Sequence, residues 1–239
     1  MLNTLELQNF TVFKEARLEF SPGLNVIIGE NGTGKSHLLK LGYALQTIMN
    51  NFREGRVSEK LNPILSSNII HAFNYIYSMY GSMLVYKFSN NVFPHFFAEF
   101  FSREYIGFDL FNLEKTFRYN GEEGKTDSIL FIPTKEILSI YKGFRSTLKN
   151  RELAFDGTYL DLAEALDLPP FKGDRLADVR PLFEPLEKIL HARVEQENGE
   201  FFFAAQGEDE EKTGNRIHAQ LAAEGHRKLG MLSYLIKNG

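Results

Sequence analysis

The chain has 239 residues, 43% of them hydrophobic and 24% charged, the balance of an ordinary folded protein of one large or two small domains. Its 27 Lys plus Arg stand against 31 Asp plus Glu, so the sequence lacks the overall positive footprint of a dedicated nucleic-acid binder, and DNA could be held only by a local basic groove. Cysteine is absent, which excludes disulfides, thiolate metal sites and thiol catalysis.

No apolar run has the roughly 20 residues a membrane-spanning helix needs. Glu6 and Lys14 interrupt the region where a signal peptide would require an apolar core. A cytoplasmic protein with no membrane partner is expected.

In chain order, residues 2–10 (LNTLELQNF) and 16–20 (ARLEF) alternate apolar and polar side chains and predict two short strands. Ser21, Pro22 and Gly23 make the turn that follows. The run LNVIIG, ending in Gly29, has the continuous apolar pattern of a strand buried on both faces of a parallel sheet. After Ser36, the residues Leu38, Leu39, Leu41, Ala44, Leu45 and Ile48 recur at helical spacing.

Between that strand and that helix lie Gly29, Glu30, Asn31, Gly32, Thr33, Gly34, Lys35 and Ser36, which match GxxxxGK(S/T), the phosphate-binding P-loop. The glycines allow backbone conformations that a side chain would forbid, so successive N–H groups converge on phosphate oxygens at a helix N-terminus. Lys35 is the candidate catalytic residue, bridging the β and γ phosphates of ATP. Ser36 is the candidate Mg²⁺ ligand, and His37 offers its backbone amide. The competing reading is a Gly-rich turn that binds no nucleotide.

The sequence contains 22 Phe and 10 Tyr, many of them crowded between Phe73 and Tyr119. A packed core or subdomain is the default reading of such a segment, and a partner-binding surface is the alternative. Strands are predicted around Met83–Phe88 and Thr116–Tyr119, and SILFIPTKE (128–136) reads as a further core strand, with Lys135 and Glu136 at its end. Residues 137–191 read as a helical lobe whose segments are broken by Pro169, Pro170, Pro181 and Pro185. Asn198-Gly199, between two alternating runs, is a hairpin signal. The acidic run GEDEEKTG (207–214) is expected to be a solvated loop. The C-terminal LAAEGHRKLGMLSYLIKNG contains a helical face of Leu229, Leu232, Leu235 and Ile236, ended by Asn238-Gly239.

The N-terminal elements, from LELQNF through ARLEFSPGLNVIIGENGTGKSHLLKL, resemble the first segment of ABC-type ATPase heads of the SMC/RecF/OLD-like group, where an Asn-Gly pair inside the loop is typical. The C-terminal Ala223, Glu224, Gly225, His226 and Arg227 resemble that family's LSGGE(K/R) signature, with Ala223 in place of its serine and Glu224 in place of a glycine. The resemblance implies an α/β P-loop NTPase fold, ABC/SMC-head-like, with an antiparallel β-subdomain and a helical lobe. It implies a homodimer that sandwiches ATP, with Glu224, Gly225 and His226 acting in trans on the partner's nucleotide. Residues 1–136 would form the N-terminal ATPase lobe, 137–191 the helical lobe, and 192–239 the hairpin and signature-like helix of the same head. DNA repair or phage defence is the implied setting, with a nuclease or other effector as a conceivable partner.

In that family the Walker B carboxylates follow the signature helix, and the sequence stops at Gly239. We therefore expect an N-terminal portion of a longer ATPase, the alternative being a nucleotide-gated interaction module that binds without hydrolysing. A P-loop kinase is a third reading, for which no acceptor pocket is recognisable. Gln46, Gln196, Gln206 and Gln220 are conceivable Mg²⁺-contacting glutamines, and none has the strand-end context that would assign it.

Overall fold

A computed structural model describes residues 1–55, 94–109, 118–121, 124–126, 128–150, 155–205 and 216–239. It is a mixed α/β protein that divides into two compact units, Met1–Phe131 and Ile132–Gly239.

The first unit is built on alternation. Strand β1 (Leu2–Phe10) turns at Thr11 into β2 (Phe13–Glu19), and Leu5 and Leu7 stand opposite Leu18 and Ala16. On its other edge β1 pairs with β3 (His95–Phe100), placing Leu5 against Ala98 and Leu7 against Phe96. Strands β4 (Tyr105–Asp109) and β5 (Arg118–Asn120) complete an antiparallel sheet of order β2-β1-β3-β4-β5. Helix α1 (Lys35–Arg53) buries Leu38, Leu41, Leu45, Ile48 and Met49 in the same apolar cluster as Leu5, Leu7, Phe96, Ala98 and Phe108 of the sheet. Phe96 meets both Phe10 and Phe108 edge to face, the arrangement that ring quadrupoles favour. The described aromatics of the Phe73–Tyr119 segment thus include core residues; Phe73 itself and the Met83–Phe88 strand lie outside the described residues.

Two expected strands are absent. Residues 24–29 form no strand, and Leu24, Val26 and Ile28 are exposed at 89%, 73% and 87%. A parallel-sheet strand exists only when neighbours supply its ladder, and among the described residues nothing pairs with this run. Residues 128–136 likewise form no strand, although Phe131 still packs on the Tyr43 ring at 6.0 Å. On α1, Leu39 faces solvent at 52% exposure, because it lies outside the stripe that the sheet covers.

In the second unit, α2 (Phe144–Lys149), α3 (Thr158–Leu166) and α4 (Gly173–Leu190) precede the hairpin of β6 (Ala192–Glu197) and β7 (Glu200–Ala205), joined by Asn198-Gly199 as the sequence predicts. Strand β8 (Arg216–His218) adds to β7. The acidic run 207–214 lies outside the described residues. Pro181 and Pro185 do not break the chain as expected and sit inside α4. Both are exposed and four residues apart on one face, so the carbonyls they leave without an N–H partner can be solvated.

Helix α5 (Glu224–Asn238) packs on α4 and on the hairpin through Gly230, Met231, Ser233, Leu235 and Asn238. Leu232, expected on the buried face, is instead at its edge, 36% exposed. The helix approaches the hairpin so closely that a Cβ on Gly230 would lie 2.6 Å from Phe203 and 2.7 Å from Val194. Tyr141 anchors the same unit: its hydroxyl shares its one proton between Ala163 O at 2.7 Å and Asp167 Oδ1 at 2.6 Å, and its ring meets Phe201 edge to face. Burial first, then the Asp167 acceptor, push the Tyr141 phenol well above its ordinary pKa. Burial opposes ionisation of Asp167, but donors from Tyr141, Arg145 and Gln196 outweigh it and hold the carboxyl below its usual range. Among the described residues no helix is long and apolar enough to cross a membrane.

Candidate functional site

The loop Gly29–Ser36 connects the extended apolar run to the first turn of α1. Gly34 is the N-cap residue, in the left-handed region at φ 86°, and no side chain caps the helix. Glycine is required there twice over, because a Cβ would also lie 2.6 Å from Val12 Cγ2 and 2.8 Å from the Phe13 ring. The β1–β2 turn is therefore pressed against the loop. Gly32 also has positive φ, 81°, with open space where a side chain would project.

Lys35 folds back across the loop. Its ammonium donates to Gly29 O at 2.7 Å and to Glu30 O at 2.5 Å, and the Thr33 hydroxyl donates to Glu30 O at 2.8 Å. The loop is thus closed by its own carbonyls, with the lysine charge held at its centre. Ser36 is exposed and His37 half-buried. Burial, reinforced by the Lys40 charge, lowers the His37 pKa, so its imidazole is neutral at pH 7. Over this surface lies an open cavity of about 270 Å³ lined by Val12 and residues 31–37. The donors fit an anion: first-turn amides, an ammonium group and a hydroxyl, with no carboxylate in the lining.

Glu224, Gly225 and His226 form the exposed first turn of α5, after Ala223 at the N-cap with extended backbone and no side-chain cap. Glu224 is paired with Lys228 at 2.8 Å, which keeps its carboxyl below the usual range. Arg227, the next residue of the signature-like stretch, donates through Nε to Glu136 Oε1 at 2.5 Å. Glu224, Gly225 and His226 lie in the second unit and the P-loop residues in the first.

Two features escape sequence reading. Val12, in a β-turn without motif, lines the loop cavity, and only its adjacency to Phe10 and Phe13 in the hairpin could have signalled this. Glu136, expected at a strand end, instead pairs with a residue 91 positions away, for which no local signal exists.

Comparison with known proteins bears on the first of these regions. Residues 4–69 match a family model described as an AAA domain. Over 58 residues the chain is 38% identical to the DNA replication and repair protein RecF of Chlamydia abortus, covering 24% of this chain and 16% of that protein. Over 44 residues it is 46% identical to the DNA replication and repair protein RecF of Staphylococcus aureus, covering 18% of this chain and 12% of that protein. The matched stretch thus spans less than a fifth of these relatives' own lengths. With the loop geometry described above, these matches make residues 4–69 similar to a P-loop ATPase head of the RecF-like group.

Proposed function

We propose that the chain is the ATP-binding head of an ABC/SMC/RecF-like ATPase, in which nucleotide binding drives association of two copies and the associated state hydrolyses ATP. The observation that carries this reading is the closed loop around Lys35. Its ammonium occupies carbonyls that an arriving phosphate would replace, and it lies beside the uncapped first turn of α1. Charge-assisted hydrogen bonds from Lys35 and the amides of residues 32–36 would hold the β and γ phosphates.

Ser36 would supply one ligand to Mg²⁺. That ion ordinarily completes its shell with water and phosphate oxygens, which agrees with the lack, among the described residues, of any group of three His, Asp or Glu placed to hold a metal. Gly225 and the first-turn amides of α5 would act on the nucleotide of the second copy. DNA replication and repair, named for the RecF relatives, is the setting we infer for the assembly, with DNA or an effector nuclease as its partner.

The test is direct. The unmutated chain should bind ATP with Mg²⁺, and Lys35→Ala should weaken binding about 10- to 100-fold, as expected for losing hydrogen bonds to a charged group. Absence of ATP binding by the unmutated chain would overturn the reading.

A second reading is favoured by one observation, the lack of any carboxylate in the lining of the loop cavity. Hydrolysis of this kind uses a carboxylate to order Mg²⁺ and a polar group to orient water. On this reading the 239 residues bind nucleotide as a switch and release no phosphate. Binding without turnover would select it.

A further inference from the structure

The second unit contains one ion pair that is both shielded from water and tied to the signature-like stretch. Glu136 is 6% exposed and Arg227 20% exposed at their side chains, and Nε of Arg227 donates to Glu136 Oε1 at 2.5 Å. The carboxylate is itself held from below: Ser139 donates to it through its hydroxyl at 2.8 Å and through its backbone N–H at 3.3 Å. The second arm of the guanidinium donates to the carbonyl of Ala222, the residue that ends the short 3₁₀ turn Ala219–Leu221. Arg227 N–H, in turn, donates to Ala223 O at 3.0 Å, the first intrahelical bond of α5. Through its side chain Arg227 therefore binds the segment before the helix and the distant Glu136, and through its backbone N–H it starts the helix.

This arrangement differs from a surface pair. A shielded pair whose partners have further hydrogen bonds fixes geometry, and removing one partner leaves the other charge uncompensated. Lysine could not do the same work, because a point charge lacks the fork that reaches Glu136 and Ala222 O together. Glu224, Gly225 and His226 lie between Ala222, whose carbonyl the guanidinium holds, and Arg227 itself.

We propose that Glu136 and Arg227 are positioning residues: together with Ser139 they clasp residues 222–227 in the conformation that presents the first turn of α5 to the nucleotide of a second copy. The proposal rests on the dimerising-head reading above for its functional consequence. The clasp itself is testable without that reading.

The experiment uses the whole chain and the variants Glu136→Gln and Arg227→Lys, with three readouts. Fluorescent mant-ATP reports binding at the P-loop, light scattering with AMP-PNP reports nucleotide-dependent association, and amide hydrogen exchange reports the stretch 222–231. We expect mant-ATP affinity to change by less than about twofold, exchange within 222–231 to accelerate about tenfold, and association to weaken about tenfold, within the usual range of coupling between sites. A general loss of stability would instead accelerate exchange throughout the second unit.

Unchanged exchange at 222–231 overturns the clasp. Accelerated exchange with undiminished association overturns its role in dimerisation. If the unmutated chain binds mant-ATP and never associates with AMP-PNP, the dimer reading fails while the exchange result still decides the clasp. Should Glu136→Gln fail to fold, Ser139→Ala, which removes one donor only, is expected to give the same pattern at about twofold to threefold.

Discussion

The loop at 29–36 and the segment at 222–227 end in the same chemistry by different routes. Each leads into a helix whose first-turn amides receive no side-chain cap, at Gly34 for α1 and at Ala223 for α5. The loop is closed from within, by glycine backbone conformations and by a lysine bonded to carbonyls five and six residues away. The α5 entry has an ordinary extended N-cap and is held from outside, by a carboxylate 91 residues upstream. A site made of backbone is compact in sequence and therefore recognisable. One made of side-chain partners is spread along the chain and shows only in three dimensions.

The largest expected effect on this comparison is at the loop's charge. Lys35→Ala removes the side-chain cation bonded inside the loop and should weaken ATP binding about 10- to 100-fold, while the melting temperature stays nearly constant. Titration with mant-ATP beside a thermal melt checks both halves.

Next come two of the glycines fixed by close approach, one in each region. Gly34→Ala forces a Cβ against Val12 and Phe13, and Gly230→Ala forces one against Phe203 and Val194. Each should cost about 1–3 kcal/mol, the usual penalty of overpacking. Only Gly34→Ala should also weaken mant-ATP binding. Equal loss of nucleotide affinity in both would show that the two regions are not separable.

Gly225→Ala sharpens the contrast from the other side. Nothing lies within 4 Å of its would-be Cβ, so the substitution should be neutral to mildly stabilising, by at most about 1 kcal/mol of helix propensity. Association driven by AMP-PNP should nevertheless fall if this turn approaches a second nucleotide. A more stable protein that no longer associates is the diagnostic outcome.

The smallest effect concerns His37. Its pKa is lowered first by burial and then by Lys40, so the unfolded chain takes up this proton at a higher pH than the folded one. The neutral imidazole's contribution is complete above the ordinary histidine range and is lost as pH falls below it. In an NMR titration the His37 midpoint should lie below the ordinary histidine value of about 6.5, and replacing it with Gln should flatten the decline of stability below about pH 6.5.

Legibility in the sequence follows the same division. The two-residue alternation of Leu5 and Leu7, the helical stripe from Leu38 to Ile48, the Asn198-Gly199 turn and the P-loop glycines are all encoded by neighbours, and each element appears where the sequence places it. The run 24–29 shows the limit. Its composition is that of a buried strand, but composition cannot provide the adjoining strands that a ladder requires. Pro181 and Pro185 were misleading for a related reason, since an interior proline costs less where the freed carbonyl is open to water and packing elsewhere along the helix can outweigh the remainder. The pairing of Glu136 with Arg227 has no local signature at all.

The exposed ribbon of Leu24, Val26 and Ile28 has a consequence for how the protein behaves at high concentration. Alternate residues along it set three exposed aliphatic side chains beside backbone groups that have no ladder among the described residues, which is the chemistry of an adhesive edge. Two such ribbons can pair with each other whether or not ATP is bound. Crowding should therefore drive a slow, nucleotide-blind clumping in competition with any ordered assembly, and a single charge at Val26 should suppress the clumping alone.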